Sequence, residues 1–244
     1  MKKDAIAFLT QLVNTPSPFG HETQGQRVWL DRVRPLADDT WHDAYGNTVA
    51  VINPGGFPKI MLAAHADEIA LAVNYIDEQG FIYVRKLGGV DATVSKAQRV
   101  LIHTAKGPVA GVIGNVAPHL SKLDHADKKP QIHDLFVDIG ARSKKEALSL
   151  VRIGNPITVD REFQFLRNDF AVARAFDNRV GTFAVAEALR LKDRRHRRAR
   201  QRKLRALVVE EQRRLQPPPA RSQAAHTSRS GGSWRPWSCP ASWR

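Results

Sequence analysis

The sequence predicts an α/β fold: a mostly parallel sheet with helices on both faces, interrupted by a small β-barrel insert. Three observations point there. Helix-period and strand-like runs alternate over residues 1–69, short β-rich runs with glycine turns fill 70–163, and a strand-then-helix pattern returns over 164–191. No internal repeat is visible.

The first helix is expected at residues 4–13, where Ile6, Leu9 and Val13 fall at helical spacing. Thr15-Pro16-Ser17-Pro18-Phe19-Gly20 breaks it. Trp29, Val33 and Leu36 mark a second helix. Asn47–Asn53 reads as a strand closed by Pro54-Gly55-Gly56. Lys59–Ala64 is a short apolar run, expected to be a strand buried on both faces as in a parallel sheet. The insert carries the runs ALAVNYI, FIYVRKL, RVLIHT, GPVAGVIGNV and PITVD, with one helix around Lys144–Val151. Strand character is expected again over Phe170–Phe176. A helix then follows, with Val180, Ala184 and Leu191 among its apolar positions.

Charge divides the chain. Sixteen of the 38 Lys and Arg, but three of the 24 acidic residues, lie in Arg190–Arg244, so this segment carries +13 of the formal +14. The body is near neutral, which argues against a dedicated nucleic-acid binder. Lys192–Lys203 is basic without an apolar face and would bind polyanions without sequence preference. The final stretch mixes Pro, Ser, Arg and Trp without period and holds three of the five Trp. A natural disordered tail is usually poor in aromatics. Residues 192–244 are therefore expected to be a basic, disordered tail of the kind an out-of-frame GC-rich coding sequence yields; the alternative is a natural tail that binds nucleic acid. The single cysteine, Cys239, leaves no intrachain disulfide. No apolar block of signal-peptide type follows Met1-Lys2-Lys3-Asp4, and no run approaches a membrane span, so a cytoplasmic protein without a membrane partner is expected.

The sharpest chemical signal is His65-Ala66-Asp67-Glu68, directly after an apolar strand. Functional groups in α/β sheets gather at carboxyl ends of strands. A His there can ligate a divalent metal, and a nearby carboxylate can orient it. The bland alternative is a partly buried His satisfied by backbone. Asp177, in Ala175-Phe176-Asp177-Asn178-Arg179-Val180-Gly181, sits between strand and helix. It could cap the helix, or its carboxylate could bridge two cations. Glu210-Glu211 follows Leu207-Val208-Val209 and could supply a general base beside a metal-binding carboxylate; a solvated charge pair is the rival reading. His103, His119, His125 and His133 read as surface or supporting histidines.

HADEIALAV and ARAFDNRVG together resemble the M42 metallo-aminopeptidases (glutamyl and deblocking aminopeptidases, some labelled endoglucanases), and the resemblance runs over about residues 4–191. TPSPFGHE is similar to the family's TxSxxGxE segment, and GFIYVRKLGGVDATV with RVLIHTAKGPVAGVIGNVAPHL looks like its barrel insert. The resemblance implies a zinc-peptidase-like fold and a cytosolic enzyme removing N-terminal residues from peptides. It also implies two divalent ions per subunit, zinc or cobalt, and a homo-oligomer of up to twelve subunits. No specific nucleic-acid partner is implied. By match to the motifs, His65 ligates one metal, Asp67 orients His65 in support of catalysis, and Asp177 bridges both ions. The family's Glu-Glu pair, base then ligand, comes about thirty residues beyond the bridging Asp; Glu210 and Glu211 stand at that distance, but Gln212-Arg213 replaces the expected Val-Gly. The family's later Asp and His ligands have no counterpart. The chain is accordingly expected to lack the C-terminal part of the fold and to be inactive as it stands.

Overall fold

The computed structural model describes residues 1–115, 130–196 and 205–211, with residues 193–196 and 205–211 given by their backbone. Two cores organise these residues, one in an α/β layer and one inside a barrel.

Helix α1 (Lys3–Asn14) buries Ala5, Phe8, Leu9, Leu12 and Val13, one stripe at three- and four-residue spacing. Pro16 disfavours helix at Thr15, which turns extended while its amide still donates to the Gln11 carbonyl. Helix α2 (Thr23–Val33) buries Trp29 and Val33. Strands β1 (Asp39–His42) and β2 (Thr48–Ile52) form an antiparallel hairpin. In its loop the Asp43 carboxylate accepts the Tyr45 and Asn47 amides, each at 2.9 Å, and Gly46 takes φ +86°. Strand β3 (Lys59–His65) lies parallel to β12 (Arg205–Glu211), and β12 lies antiparallel to β2, giving the order β1-β2-β12-β3.

Helix α5 (Phe176–His196) completes this layer. Its Val185, Ala186 and Leu189 pack with Phe8, Leu12, Trp29, Val33, Ala50 and Ile52. The Trp29 indole N–H donates to the Thr182 carbonyl at 2.9 Å inside this core. Arg32 joins the three helices, reaching Asp4 at 2.7 Å and Glu187 at 3.2 Å.

The insert closes on itself. Strands β4 (Ala70–Ile76), β5 (Ile82–Leu87), β6 (Arg99–Thr104), β7 (Gly107–Asn115), β8 (Leu135–Asp138) and β9 (Pro156–Val159) form a barrel in the order β4-β5-β8-β7-β6-β9. Closure removes sheet edges. Inside lie Leu71, Val73, Ile82, Ile102, Ile113, Val137 and Ile157 among others. The short helices α3 (Ala92–Ser95) and α4 (Lys144–Leu150) also belong to the insert, and Ala92 and Ala147 join its core. A two-residue hairpin, β10 (Gln164–Phe165) with β11 (Ala171–Val172), leads back to α5.

Four features differ from expectation. Among the described residues the sheet is mixed, with one parallel and two antiparallel pairs. Strand β3 is not buried on both faces: it ends the sheet order, so Ile60 and Met61 are exposed and Ala64 alone is fully buried. The buried stripe of α5 is Thr182, Val185, Ala186 and Leu189, whereas Val180, Ala184 and Leu191 face outward. Finally, the segment expected as a tail from residue 192 contains the end of α5 and all of β12. The apolar run Ala206–Val209 supplies a strand that pairs on both sides, which a charge count hides.

Ile102 is fully buried in the barrel. Ile102→Ala is expected to cost about 2–5 kcal/mol of stability, read from the urea midpoint; a loss below about 1 kcal/mol would mean the barrel interior is not close-packed there.

Candidate metal centre

His65 is the last residue of β3, and Asp67 follows two residues on, 5% exposed. The His65 ring lies between two carboxylates. Its Nδ1 is 2.7 Å from Asp67 Oδ1, and its Nε2 is 3.1 Å from Asp177 Oδ1, across 112 positions of sequence. A neutral imidazole has one N–H to give. When Nδ1 gives it to Asp67, the Nε2 lone pair faces a carboxylate oxygen, an arrangement that a cation between them relieves. Asp67 then fixes the tautomer and the orientation of the ring, as carboxylates do behind metal-bound histidines.

The alternative role for Asp177 was helix capping, and Asn178 performs it. Asn178 Oδ1 accepts the Gly181 amide at 3.1 Å, the geometry of an N-cap bonding the third helical residue. Gly181 is needed for this, because a Cβ there would stand 2.4 Å from that same oxygen. Asp177 itself is extended, at φ −89° and ψ 106°, and its side chain is 93% exposed. The carboxylate therefore points away from the helix that follows it.

His65 and Asp177 have the chemistry of a divalent-cation pair. Bonds of roughly 2.0–2.2 Å to one tetrahedral ion put two donors roughly 3.2–3.5 Å apart; the observed 3.1 Å needs little adjustment. Among the described residues no group of three or more His, Cys, Asp and Glu side chains converges in this way. The backbone register adds one fact. Glu210 pairs with Ala64 and Glu211 with His65 in the parallel β12–β3 ladder, so the backbone of this pair ends level with His65.

Sequence reasoning passed over the residues behind the site. Glu68 is 3% exposed and accepts the Ser17 amide at 2.9 Å, Arg174 Nε at 2.8 Å and Arg179 Nη2 at 3.4 Å. Both arginines lie in the same motif as Asp177, so the signal was charge flanking an apolar segment. Glu22 is also buried; burial raises its pKa, the Gly20 and Glu22 amides oppose this, and the nearby Asp67 charge adds to it. His103 donates to or accepts from Thr158 Oγ1 at 2.8 Å on the barrel side, and His133 is exposed beside Asp134. His119 and His125 lie outside the described residues.

With this geometry established, comparison with known proteins is informative. Residues 46–211 match the M42 glutamyl aminopeptidase family. The chain belongs to this family. It is 33% identical over 186 residues to a lysyl aminopeptidase of Pyrococcus furiosus, covering 75% of this chain and 53% of that protein. It spans about half the length of the curated relatives it matches. A TET aminopeptidase from a Thaumarchaeota archaeon of marine sediment superimposes with a TM-score of 0.79 at 30% identity, over 85% of this chain and 58% of the other. Pyrococcus horikoshii TET1 peptidase, described as assembling into a tetrahedron or a large octahedral shell, gives 0.72 at 30% identity, over 84% and 60%. The M42 match reaches Glu211, twenty residues past the point where the resemblance in sequence was expected to stop. Among the described residues no helix is long and apolar enough to cross a membrane.

Burial, ahead of the Arg174 charge, lowers the His103 pKa from 6.5. The folded chain thus keeps the ring neutral where the unfolded chain begins to protonate. The stability this group contributes is full above pH 6.5 and is lost as pH falls through the lower folded value. Melting curves from about pH 8 to about pH 5 should show wild type losing more stability than His103→Gln; equal losses would exclude His103 as a contributor.

Proposed function

We propose that the chain carries one half of the metal site of an aminopeptidase-type hydrolase that removes N-terminal residues from peptides. The observation that carries this reading is the His65 ring held between Asp67 and Asp177. In it, His65 and Asp177 are metal ligands, with Asp177 reaching two ions, and Asp67 sets the histidine tautomer. Zinc or cobalt bound there would activate a water and polarise the scissile carbonyl. Were the site complete, Glu210 would be the candidate base for the water's proton and Glu211 a further metal donor; what supports this is their backbone register beside Ala64 and His65.

Turnover by this chain alone should be slight. A catalytic zinc ordinarily has three protein ligands, and this reading supplies two with side chains in reach of each other, His65 and Asp177. Exposed Ile60, Met61, Val180 and Leu191 should also promote self-association. On the same reading, residues 70–163 are a separate insert and residues 192–244, apart from the end of α5 and the strand Arg205–Glu211, a basic tail with no specific nucleic-acid partner. A cytoplasmic location and a homo-oligomer of up to twelve subunits go with the aminopeptidase reading.

The basic segment favours a second reading, a non-catalytic remnant that binds nucleic acid through residues 192–244. That would give DNA affinity with steep salt dependence, abolished by removing the segment.

The test is cobalt binding and leucyl- or glutamyl-anilide hydrolysis with added zinc or cobalt. Binding should be weak, lost in His65→Ala and reduced in Asp177→Asn, with negligible hydrolysis. Binding indifferent to His65 would sink the metal assignment. Robust turnover lost on Glu210→Gln would refute the half-site reading and make the chain a working enzyme.

A further inference from the structure

The candidate ligands come from two segments separated by the whole barrel, and their positions relative to one another must be fixed by something. We propose that the buried Arg174–Glu68–Arg179 network is that device, a set of positioning residues holding the His65 and Asp177 segments in register. This rests on the metal-site reading above.

Arg179 is 1% exposed and lies two residues beyond Asp177. Its Nε donates at 3.0 Å to the carbonyl of Ala66, the residue between His65 and Asp67. One guanidinium therefore sets the peptide from which both side chains depart. Its Nη1 donates to the Leu12 carbonyl at 2.5 Å and to that of Thr15, and its Nη2 meets Glu68 Oε1 at 3.4 Å. Arg174 holds the other oxygen of Glu68 through Nε, and its Nη1 and Nη2 donate to the Arg161 and Asn14 carbonyls, each at 2.9 Å. Glu68 is locked in turn: its amide donates to the Ser17 carbonyl at 2.9 Å, while its Oε1 takes the Ser17 amide. Both segments and the turn after α1 thus meet at one carboxylate.

Lysine cannot replace these arginines in function. A guanidinium presents five N–H donors in a rigid fork, an ammonium three on a flexible stem. Charge alone would survive Arg179→Lys; the simultaneous grip on Ala66, Leu12 and Thr15 would not. A purely structural rival exists, in which Arg179 only satisfies the carbonyls at the end of α1. The rival predicts lower stability with unchanged metal affinity once the protein is folded.

The experiment titrates Co2+ into the full chain by calorimetry and visible absorption, at a temperature where circular dichroism shows each variant folded. Arg179→Lys should weaken Co2+ binding by about tenfold, the scale on which supporting residues act. Trp29→Phe, which loses the Thr182 hydrogen bond away from the site, serves as the destabilised control and should leave affinity unchanged. Arg179→Lys folded with wild-type affinity overturns the proposal, and so does an equal loss in Trp29→Phe. Should Arg179→Lys not fold, Arg174→Lys decides, by a several-fold loss or by none. Wild type that binds no Co2+ in a His65-dependent way fails the metal reading itself, an outcome distinct from failure of the clamp alone.

Discussion

A single buried carboxylate, Glu68, ties together segments that the chain separates widely. It meets Arg174 across 106 positions, Arg179 across 111 and Ser17 across 51. Closing a loop of this length costs roughly 4 kcal/mol in chain entropy before any contact repays it. Burying charges costs several kcal/mol per ion unless each is paired and hydrogen-bonded. Here the two guanidiniums share one carboxylate, and both also donate to backbone carbonyls. The arrangement is costly to break at its centre, because removing Glu68 leaves two neighbouring guanidiniums without its charge, whereas removing one arginine leaves the other opposite Glu68. That asymmetry suits a joint whose purpose is position more than stability.

The barrel explains why such a joint is needed. It enters at Ala70, five residues after His65, and the chain returns to α5 at Phe176, one residue before Asp177. Both halves of the site are therefore the necks of the insert. Because the barrel is closed and has its own apolar core, it has no sheet edge through which to fix its necks. The clamp and the Asn178 cap do that from the α/β side.

What the sequence disclosed, and what it hid, follows from the range of the interactions. The His65–Asp67 pair and the strand ending at His65 were legible because they are local. The barrel was legible because short β-rich runs and glycine turns are local too. Asp177 beside His65 was reachable through the rule that ligands gather at strand ends. By contrast, α5 carries two apolar stripes, and periodicity cannot say which one meets the core; the buried one follows Thr182, Val185 and Leu189 because Trp29 and Phe8 stand opposite. The apolar run of β3 could not reveal that it would end the sheet order. Whether Asp177 caps the helix stayed open in the sequence until the backbone showed it extended and Asn178 in the capping position. Glu68, Arg174 and Arg179 drew no role from the sequence, since burial of a charge is decided by partners far away in sequence.

The division between Asp177 and Asn178 shows how little sequence separates a structural residue from a chemical one. Either side chain can cap a helix. Asn178 satisfies the Gly181 amide, so the neighbouring carboxylate is not consumed by the helix terminus. Had Asp177 been the cap, its oxygen would lie against the backbone and His65 Nε2 would face solvent. A glycine four residues on makes the observed choice possible, because only an absent Cβ leaves room for the Asn178 amide. Arg179, the next residue, then turns inward to Ala66 and Glu68. Three consecutive residues thus take three separate tasks: Asp177 presents charge, Asn178 caps the start of the helix and Arg179 anchors the segment. The motif DNRVG is better understood as this backbone arrangement than as a set of ligands, and the proposed metal chemistry depends on the anchoring holding.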